Sequence, residues 1–211
     1  MDWKIEVRSV GPLQMNAVLI SGKGPEGAEA VLIDPGAEVE TLLNLVRESE
    51  ARLVGLLATH GHFDHVGAAT GIQQVHDLPL RCHPDDLELI QSMPHIQEAY
   101  GFEPGEVPVC SADLADGTVI PCAGEKILVQ HIPGHSTGQV MFLLPGKAIV
   151  GDCLFAGSVG RTDLPGGDFP TLEKSIRERI YTLPDETVII CGHGPSTTVG
   201  REKASNPFVQ G

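Results

Sequence analysis

Four apolar runs in this chain end in glycine-bearing turns, and each turn carries a side chain that can bind a metal ion. Leu56-Leu57-Ala58 runs through Thr59 into His60-Gly61-His62-Phe63-Asp64-His65. Val129-Gln130-His131-Ile132 leads into Pro133-Gly134-His135, Ala148-Ile149-Val150-Gly151 into Asp152, and Val188-Ile189-Ile190-Cys191-Gly192 into His193. Strand ends of this kind are where a sheet presents functional side chains on loops held by a rigid scaffold. Glycine beside them lets the backbone turn sharply and come close to a bound ion. Together the turns supply five histidines and two aspartates, enough for two ions with positions left open for water.

The first turn is the densest. His60, His62, Asp64 and His65 place four donors in six residues. Imidazole nitrogens and carboxylates are ligands that zinc, iron and manganese all accept. Asp64 and His65 are adjacent and point differently from His60 and His62, so one ion cannot take all four. The spacing predicts two ions sharing a site, with His60 and His62 on one and Asp64 and His65 on the other. Two metals held close together are a device for hydrolysis. A closed structural zinc site is the wrong comparison, because those sites favour cysteine-rich tetrahedra.

The rest of the sequence suits a globular domain. Its 211 residues are enough for one sizeable core, and 41% hydrophobic with 20% charged residues is ordinary for such a chain. A formal net charge of -14 argues against nucleic acid as a partner. No apolar run is long enough for a bilayer, and Met1-Asp2-Trp3-Lys4 lacks a signal-peptide pattern. Five scattered cysteines without a Cys-x-x-Cys pair read as reduced thiols in the cytoplasm, with Cys153 and Cys191 as small buried hydrophobes.

Strands are predicted at Ile5–Val10, Ala17–Ser21, Ala30–Asp34, Leu53–Thr59, Ile127–Ile132, Val140–Leu144, Ala148–Gly151 and Thr187–Cys191. Several are continuous apolar runs, which suits strands covered on both faces. Helical periodicity covers Glu38–Ser49 and Thr171–Leu183. A further helix is predicted from His65 through Ile72 to Val75, and Pro84 opens another at Leu87–Gln91. The order, strands and then mixed elements twice over, fits sheets sandwiched between helix layers. The Pro-, Gly- and acid-rich stretch 93–118 reads as a surface excursion over a site. Of the remaining histidines, His76 and His95 read as exposed, His83 as preceding a helix, and His131 as packing near the site. Asp34, closing Leu32-Ile33-Asp34-Pro35-Gly36, reads equally as an acceptor for a ligand histidine or as a turn aspartate.

Thr-His-Gly-His-Phe-Asp-His, Pro-Gly-His-Ser-Thr-Gly, Gly-Asp and Gly-His-Gly-Pro, in this order, resemble the metallo-β-lactamase superfamily. The resemblance implies an αββα sandwich with a dinuclear site at the edge between its two sheets, formed by one domain over 1–211. It assigns His60, His62 and His135 to the first metal, Asp64, His65 and His193 to the second, and Asp152 to both. His65 together with Asp152 is similar to the glyoxalase II-like hydrolases, and the segment Gly160-Arg161-Thr162-Asp163-Leu164-Pro165-Gly166-Gly167-Asp168 is similar to their short bacterial type. The helical C-terminal glutathione-binding domain of full-length glyoxalase II is not expected here.

The resemblance implies two divalent ions, zinc foremost with iron or manganese as alternatives, and hydrolysis of S-acyl glutathione thioesters such as S-lactoylglutathione. Metal-bound hydroxide, oriented by Asp64, would attack the thioester carbonyl. Arg161 stands where such enzymes place a basic residue for the glutathione moiety, and reads equally as a surface arginine in a glycine-rich loop. The partner is a small-molecule thioester, with neither nucleic acid nor membrane. A mononuclear-iron persulfide dioxygenase and a lactone hydrolase are the alternatives on this scaffold.

Overall fold

Alternation along the strands decides the architecture. In a computed structural model, which describes residues 3–24 and 26–211, the first half of the chain forms β1 (Lys4–Val10), β2 (Met15–Gly24), β3 (Gly27–Ile33), α1 (Val39–Glu48), β4 (Arg52–Leu57), α2 (Phe63–Val66), α3 (Ala69–Gln73), β5 (Leu80–Arg81), α4 (Leu87–Gln91), α5 (Met93–Ala99) and β6 (Cys110–Ser111). The second half forms β7 (Val119–Cys122), β8 (Glu125–His131), β9 (Val140–Leu144), β10 (Lys147–Gly151), the hairpin β11 (Leu154–Phe155) and β12 (Ser158–Val159), α6 (Phe169–Ser175), β13 (Val188–Cys191), β14 (Thr197–Thr198) and α7 (Val199–Ser205).

Strands β1 to β6 lie in sequence order in one sheet, antiparallel through β1-β2-β3 and parallel from β3 to β6. The second sheet runs β14-β13-β10-β9-β8-β7 and is antiparallel except for the β10-β13 pair. Successive residues of β2 and β3 point to opposite faces. Val18, Ile20, Val31 and Ile33 meet Ile127, Val129, Phe142 and Ile149 between the sheets. Their neighbours Ala17, Leu19, Ala30 and Leu32 pack outward with α1, α3 and α4 residues such as Leu42, Ile72 and Ile90. On the far side, Met141, Ala148 and Val150 meet Leu172 from α6, Ile176 and Ile180 from the turn of helix that continues it, and Val199 from α7. The order of layers is helix, sheet, sheet, helix. A stretch of strand buried on both faces has to be apolar throughout, which is why residues 17–20 of β2, 30–33 of β3 and 148–150 of β10 lack a polar alternate. Phe142 is fully buried in the middle layer, where truncating it to alanine costs about 3–5 kcal/mol.

The helix ends follow local chemistry. The Asp168 carboxylate accepts from Thr171 N at 2.9 Å and starts α6, with a proline in its first turn. The predicted Thr171–Leu183 helix is α6 followed by a π-helical segment at Ile176–Ile180. The Glu38 carboxylate accepts from Gly11 N at 2.8 Å, pinning the β1-β2 turn to the start of α1.

Two sequence expectations need correction. The helix predicted from His65 to Val75 is two helices, α2 and α3, because the turn after β3 crosses between them. Ala68 N donates to Pro35 O at 2.9 Å, and a Cβ at Gly67 would lie 2.8 Å from Gly36 O. Nor is 93–118 purely a surface excursion. It contains α5 and the edge strand β6, and it buries Met93 and Leu114 completely. The five cysteines are free, four of them buried. Among the described residues no helix is long and apolar enough to cross a membrane.

Candidate metal centre

All seven donors meet at one edge of the sandwich, each just beyond the end of a strand. His60 and His62 follow β4, Asp64 and His65 lie in α2, His135 follows β8, Asp152 follows β10 and His193 follows β13. Donor atoms fall into the sets His60-His62-His135, Asp64-His65-His193 and His60-His65-Asp152. The carboxylate of Asp152 lies between the first two. Its Oδ1 is 3.3 Å from His65 Nε2, and its Oδ2 is 3.7 Å from His135 Nε2 and 3.6 Å from His193 Nε2. Asp64 Oδ2 is 3.2 Å from His193 Nε2.

The outward-facing ring nitrogens fix which atoms point in. Nδ1 of His65 donates to Asp34 Oδ2 at 2.9 Å, that of His135 to the Arg161 carbonyl at 2.8 Å, and that of His193 to the Leu13 carbonyl at 3.0 Å. Thr59 gives its hydroxyl proton to Asp34 Oδ2 at 2.8 Å, so its oxygen is free to accept from His60 Nδ1 at 3.1 Å. These partners leave Nε2 of all four rings turned inward. His62 presents Nδ1 instead, 3.0 Å from His60 Nε2 and 2.9 Å from His135 Nε2. Three nitrogen lone pairs that close repel one another unless a cation lies among them. Tetrahedral coordination at ~2.05 Å per bond would space them by about 3.3 Å, close to what is found. His65 Nε2 and Asp152 Oδ1 are buried without a hydrogen-bond partner, a costly state that a bound cation relieves. The donor set fits two divalent ions.

Charge separates the two sets. Burial and then the neighbouring imidazoles push His60 well below its ordinary value and His62 down to about 4. Burial also lowers His135, against the pull of Asp152. On the other side, burial pulls His65 down, but Asp152, Asp34 and Asp64 outweigh it and hold the ring well above 6.5. His193 is raised in the same way by Asp64 and Asp152 against its own burial. Burial raises both Asp64 and Asp152, yet His65 and His193 hold each below the usual carboxylate range.

Glycine is obligatory at the narrowest point. A Cβ at Gly192 would lie 2.1 Å from Asp152 Oδ1 and 2.8 Å from His65 Cε1, so the turn carrying His193 passes behind the cluster only without a side chain.

Apart from Asp34, the residues that hold the seven donors in place were not visible in the sequence. Asp86 is buried, and its carboxylate accepts from Gly61 N at 2.8 Å, Ser136 Oγ at 2.7 Å and Gly138 N at 2.6 Å. It ties the His60-His62 turn to the His135 turn. Asn16 does the same for His193, its amide donating to the carbonyls of Cys191 at 3.0 Å and Gly194 at 2.9 Å. A polar residue at a helix start and one in an apolar strand were the only signals. Asp34 acts in both predicted senses: it turns the chain at φ 55° and accepts from Thr59 and His65. The Arg161 side chain is exposed and paired with Asp163 at 2.7 Å, and its carbonyl is what reaches the centre. His131 donates to Thr137 O, two residues beyond His135, at 2.8 Å and stacks on His83. His83, Asp85 and His131 form a further donor set, but the two rings lie parallel within 7° and their in-plane lone pairs do not converge. His95 is exposed as expected, whereas His76 is half-buried, lining a hollow with Leu43, Val46 and Ala51.

Three similarities accompany this geometry. Hydroxyacylglutathione hydrolase GloC of Haemophilus influenzae is 38% identical over 214 residues, covering 97% of both chains. A protein crystallised in a di-iron-bound form, TTHA1623, superposes with a TM-score of 0.87 at 42% identity, over 97% of this chain and 100% of that one. The B3 metallo-beta-lactamase BLEG-1 does so with a TM-score of 0.87 at 31% identity, over 99% of this chain and 100% of that one. The family model of the metallo-beta-lactamase superfamily matches residues 10–193, which takes in all seven donors. With the αββα layers and the donors at their edge, the match establishes that this chain belongs to the metallo-beta-lactamase superfamily.

Proposed function

We propose that the protein is a dinuclear metal-dependent hydrolase of S-acyl thioesters, acting on S-acyl glutathiones of which S-lactoylglutathione is the first to test. One observation carries this reading: two three-donor sets, each with its lone pairs set inward, lie on either side of a single shared carboxylate, Asp152. The likeness to a hydroxyacylglutathione hydrolase over nearly the whole chain supports the substrate class. Bound there, two divalent ions supply Lewis acidity and lower the pKa of water toward ~7.

The chain's own groups are suited to the rest. His60, His62 and His135 stay neutral at pH 7, so no proton competes for their lone pairs. Asp64 stays ionised and faces the partly exposed side of the centre, where its carboxylate can accept a hydrogen bond from an attacking water and orient it. Water adds to the thioester carbonyl, the carbon–sulfur bond breaks, and the carboxylate, the thiol and a proton leave. A thiol of pKa ~8.5 departs with little protonation, so the site needs no strong general acid.

The test is hydrolysis of S-lactoylglutathione by protein loaded with zinc, iron or manganese, followed as loss of thioester absorbance. Activity should disappear with a chelator and return with metal. Asp152→Ala and His62→Ala should each lower kcat/KM about a thousandfold or more, since each dismantles an ion position. Rates on several S-acyl glutathiones no better than buffer, with two ions bound, would sink the thioester reading.

A further inference from the structure

The β1-β2 turn, α2 and the loop after α5 enclose a cleft of about 240 Å³ that runs up to Asp64. Its walls include Pro12, Leu13, Phe63 and Phe102, with Asp64 and Glu103 as its ionisable groups and no lysine or arginine. The Phe63 ring lies 5.4 Å from that of Phe102 and 5.8 Å from that of Tyr100. The chain has only nine aromatic residues, Trp 1, Tyr 2 and Phe 6, so three of them gathered beside one metal ligand is a concentration. Leu13 and Tyr100 are exposed large side chains, 45% and 54% accessible. The wall is also joined to the donors: Phe63 sits between His62 and Asp64 in sequence, and the Leu13 carbonyl accepts from His193 Nδ1 at 3.0 Å.

We propose that this cleft is the acyl pocket and that it selects uncharged, apolar acyl groups of medium length over short hydroxyacyl groups. The inference rests on the thioester-hydrolase reading and narrows it. Charge decides which half of the substrate enters. A carrier thiol bearing carboxylates, such as glutathione, would set its anions against Glu103 with no lysine or arginine among the lining residues to answer them, the charge of Asp64 being matched by the ion it would help to hold. The acyl group carries no charge and leaves the polar carbonyl at the metal edge while its tail meets Leu13, Phe63 and Phe102. At ~30 Å³ per water-sized group the cleft has room for about eight non-hydrogen atoms. Beyond the carbonyl, which stays at the metal edge, a lactoyl group places only a methyl, a CH and a hydroxyl in the cleft, leaves more than half of it empty and turns that hydroxyl toward an apolar wall.

Two measurements on the metal-loaded protein test this. In the first, kcat/KM is measured for S-acetyl-, S-butyryl-, S-hexanoyl- and S-lactoylglutathione, all with the same carrier. It should rise about fourfold per added methylene until the cleft is filled, with lactoyl falling below butyryl. In the second, the product carboxylates acetate, butyrate, hexanoate and octanoate are titrated calorimetrically, a binding readout that needs no turnover. Affinity should climb with chain length in the same way. Phe102→Asp should flatten both trends, and Leu13→Glu, at an exposed position that does not threaten folding, should do the same. Carboxylate affinity independent of chain length, or trends untouched by both substitutions, would overturn the pocket even if every thioester is hydrolysed. Chain-length-dependent carboxylate binding without any thioester hydrolysis would instead keep the pocket and remove the thioester reading.

Discussion

The first donor set, His60, His62 and His135, is a buried nest of neutral imidazoles, whereas the second, Asp64, His65 and His193, mixes a carboxylate with two histidines whose affinity for protons is raised. Both lie at one sheet edge and share Asp152. The difference is in what competes for the lone pairs. At neutral pH the first set offers its nitrogens to an ion at no cost in protons, while the second must give up protons as an ion arrives. A buried aspartate stands behind each set. Asp86 ties together the two turns that carry the first set, and Asp34 holds His65 of the second directly while reaching His60 of the first only through the Thr59 hydroxyl.

That division can be broken one side at a time. Asp86→Asn should weaken the first position, and Asp34→Asn chiefly the second because its contact with His60 runs only through Thr59, each by about 10–100-fold in ion affinity. An asparagine at 86 has one carbonyl oxygen in place of two carboxylate oxygens, so one of Gly61 N, Ser136 Oγ and Gly138 N faces an amide NH₂. The unsatisfied donor costs about 2 kcal/mol and lets the His62 and His135 turns drift apart. Calorimetric titration of chelated protein resolves the two affinities. Weakening of both positions equally by either variant would show that the centre behaves as one unit through Asp152.

The two supporting aspartates also mark how far the sequence could be read. His60 to His65 are legible because four donors lie within six residues, and His135, Asp152 and His193 because each closes an apolar run with a glycine beside it. The layers were legible because strands buried on both faces must be apolar throughout. Asp86 was not, since its three partners lie 25, 50 and 52 residues away and two of them are backbone amides that any residue would supply. The carbonyls of Leu13 and Arg161, which orient His193 and His135, leave no trace in side-chain identity. The break between α2 and α3 was hidden for the same reason: it depends on the backbone of Gly36 and Pro35 crossing there. Strands β5, β6 and β14, of two residues each, are too short to show a period.

Protons should separate the two sets next. In the ion-free chain, His60, His62 and His135 have folded-state values below that of an unfolded histidine. Below pH 6.5 the unfolded chain therefore takes up protons that the folded one refuses, and stability falls as pH drops toward about 4 for His62. His65 and His193 have raised values, so their contribution is fully present below 6.5 and is lost as pH rises through their folded values. Stability of chelated protein should peak near pH 6.5, with a limb of about 1.4 kcal/mol per pH unit for each histidine involved. Urea denaturation across pH 5 to 9 measures it. Asp34→Asn should flatten the alkaline limb alone, by removing one of the charges that raise His65. An unchanged alkaline limb in that variant would assign the rise to Asp152 and Asp64 instead.

The smallest effect is expected at Arg161, which divides between its two halves what the resemblance assigned to one. Its carbonyl accepts from His135 Nδ1 at 2.8 Å, a contact that any residue at this position retains. Its guanidinium is exposed and already held by both oxygens of Asp163, at 2.8 and 2.7 Å. A substrate carboxylate must displace Asp163 to use it, exchanging one solvent-screened pair for another, so little net attraction is left. Arg161→Ala should accordingly change kcat/KM for S-lactoylglutathione by no more than about threefold. The informative control is a thioester of an uncharged thiol such as N-acetylcysteamine. If Arg161→Ala raises KM tenfold or more for the glutathione thioester and leaves the uncharged one alone, the guanidinium does hold the carrier, and Asp163 competes with the substrate for it. Asp163→Asn would then lower that KM, because it frees the arginine without altering the carbonyl that orients His135.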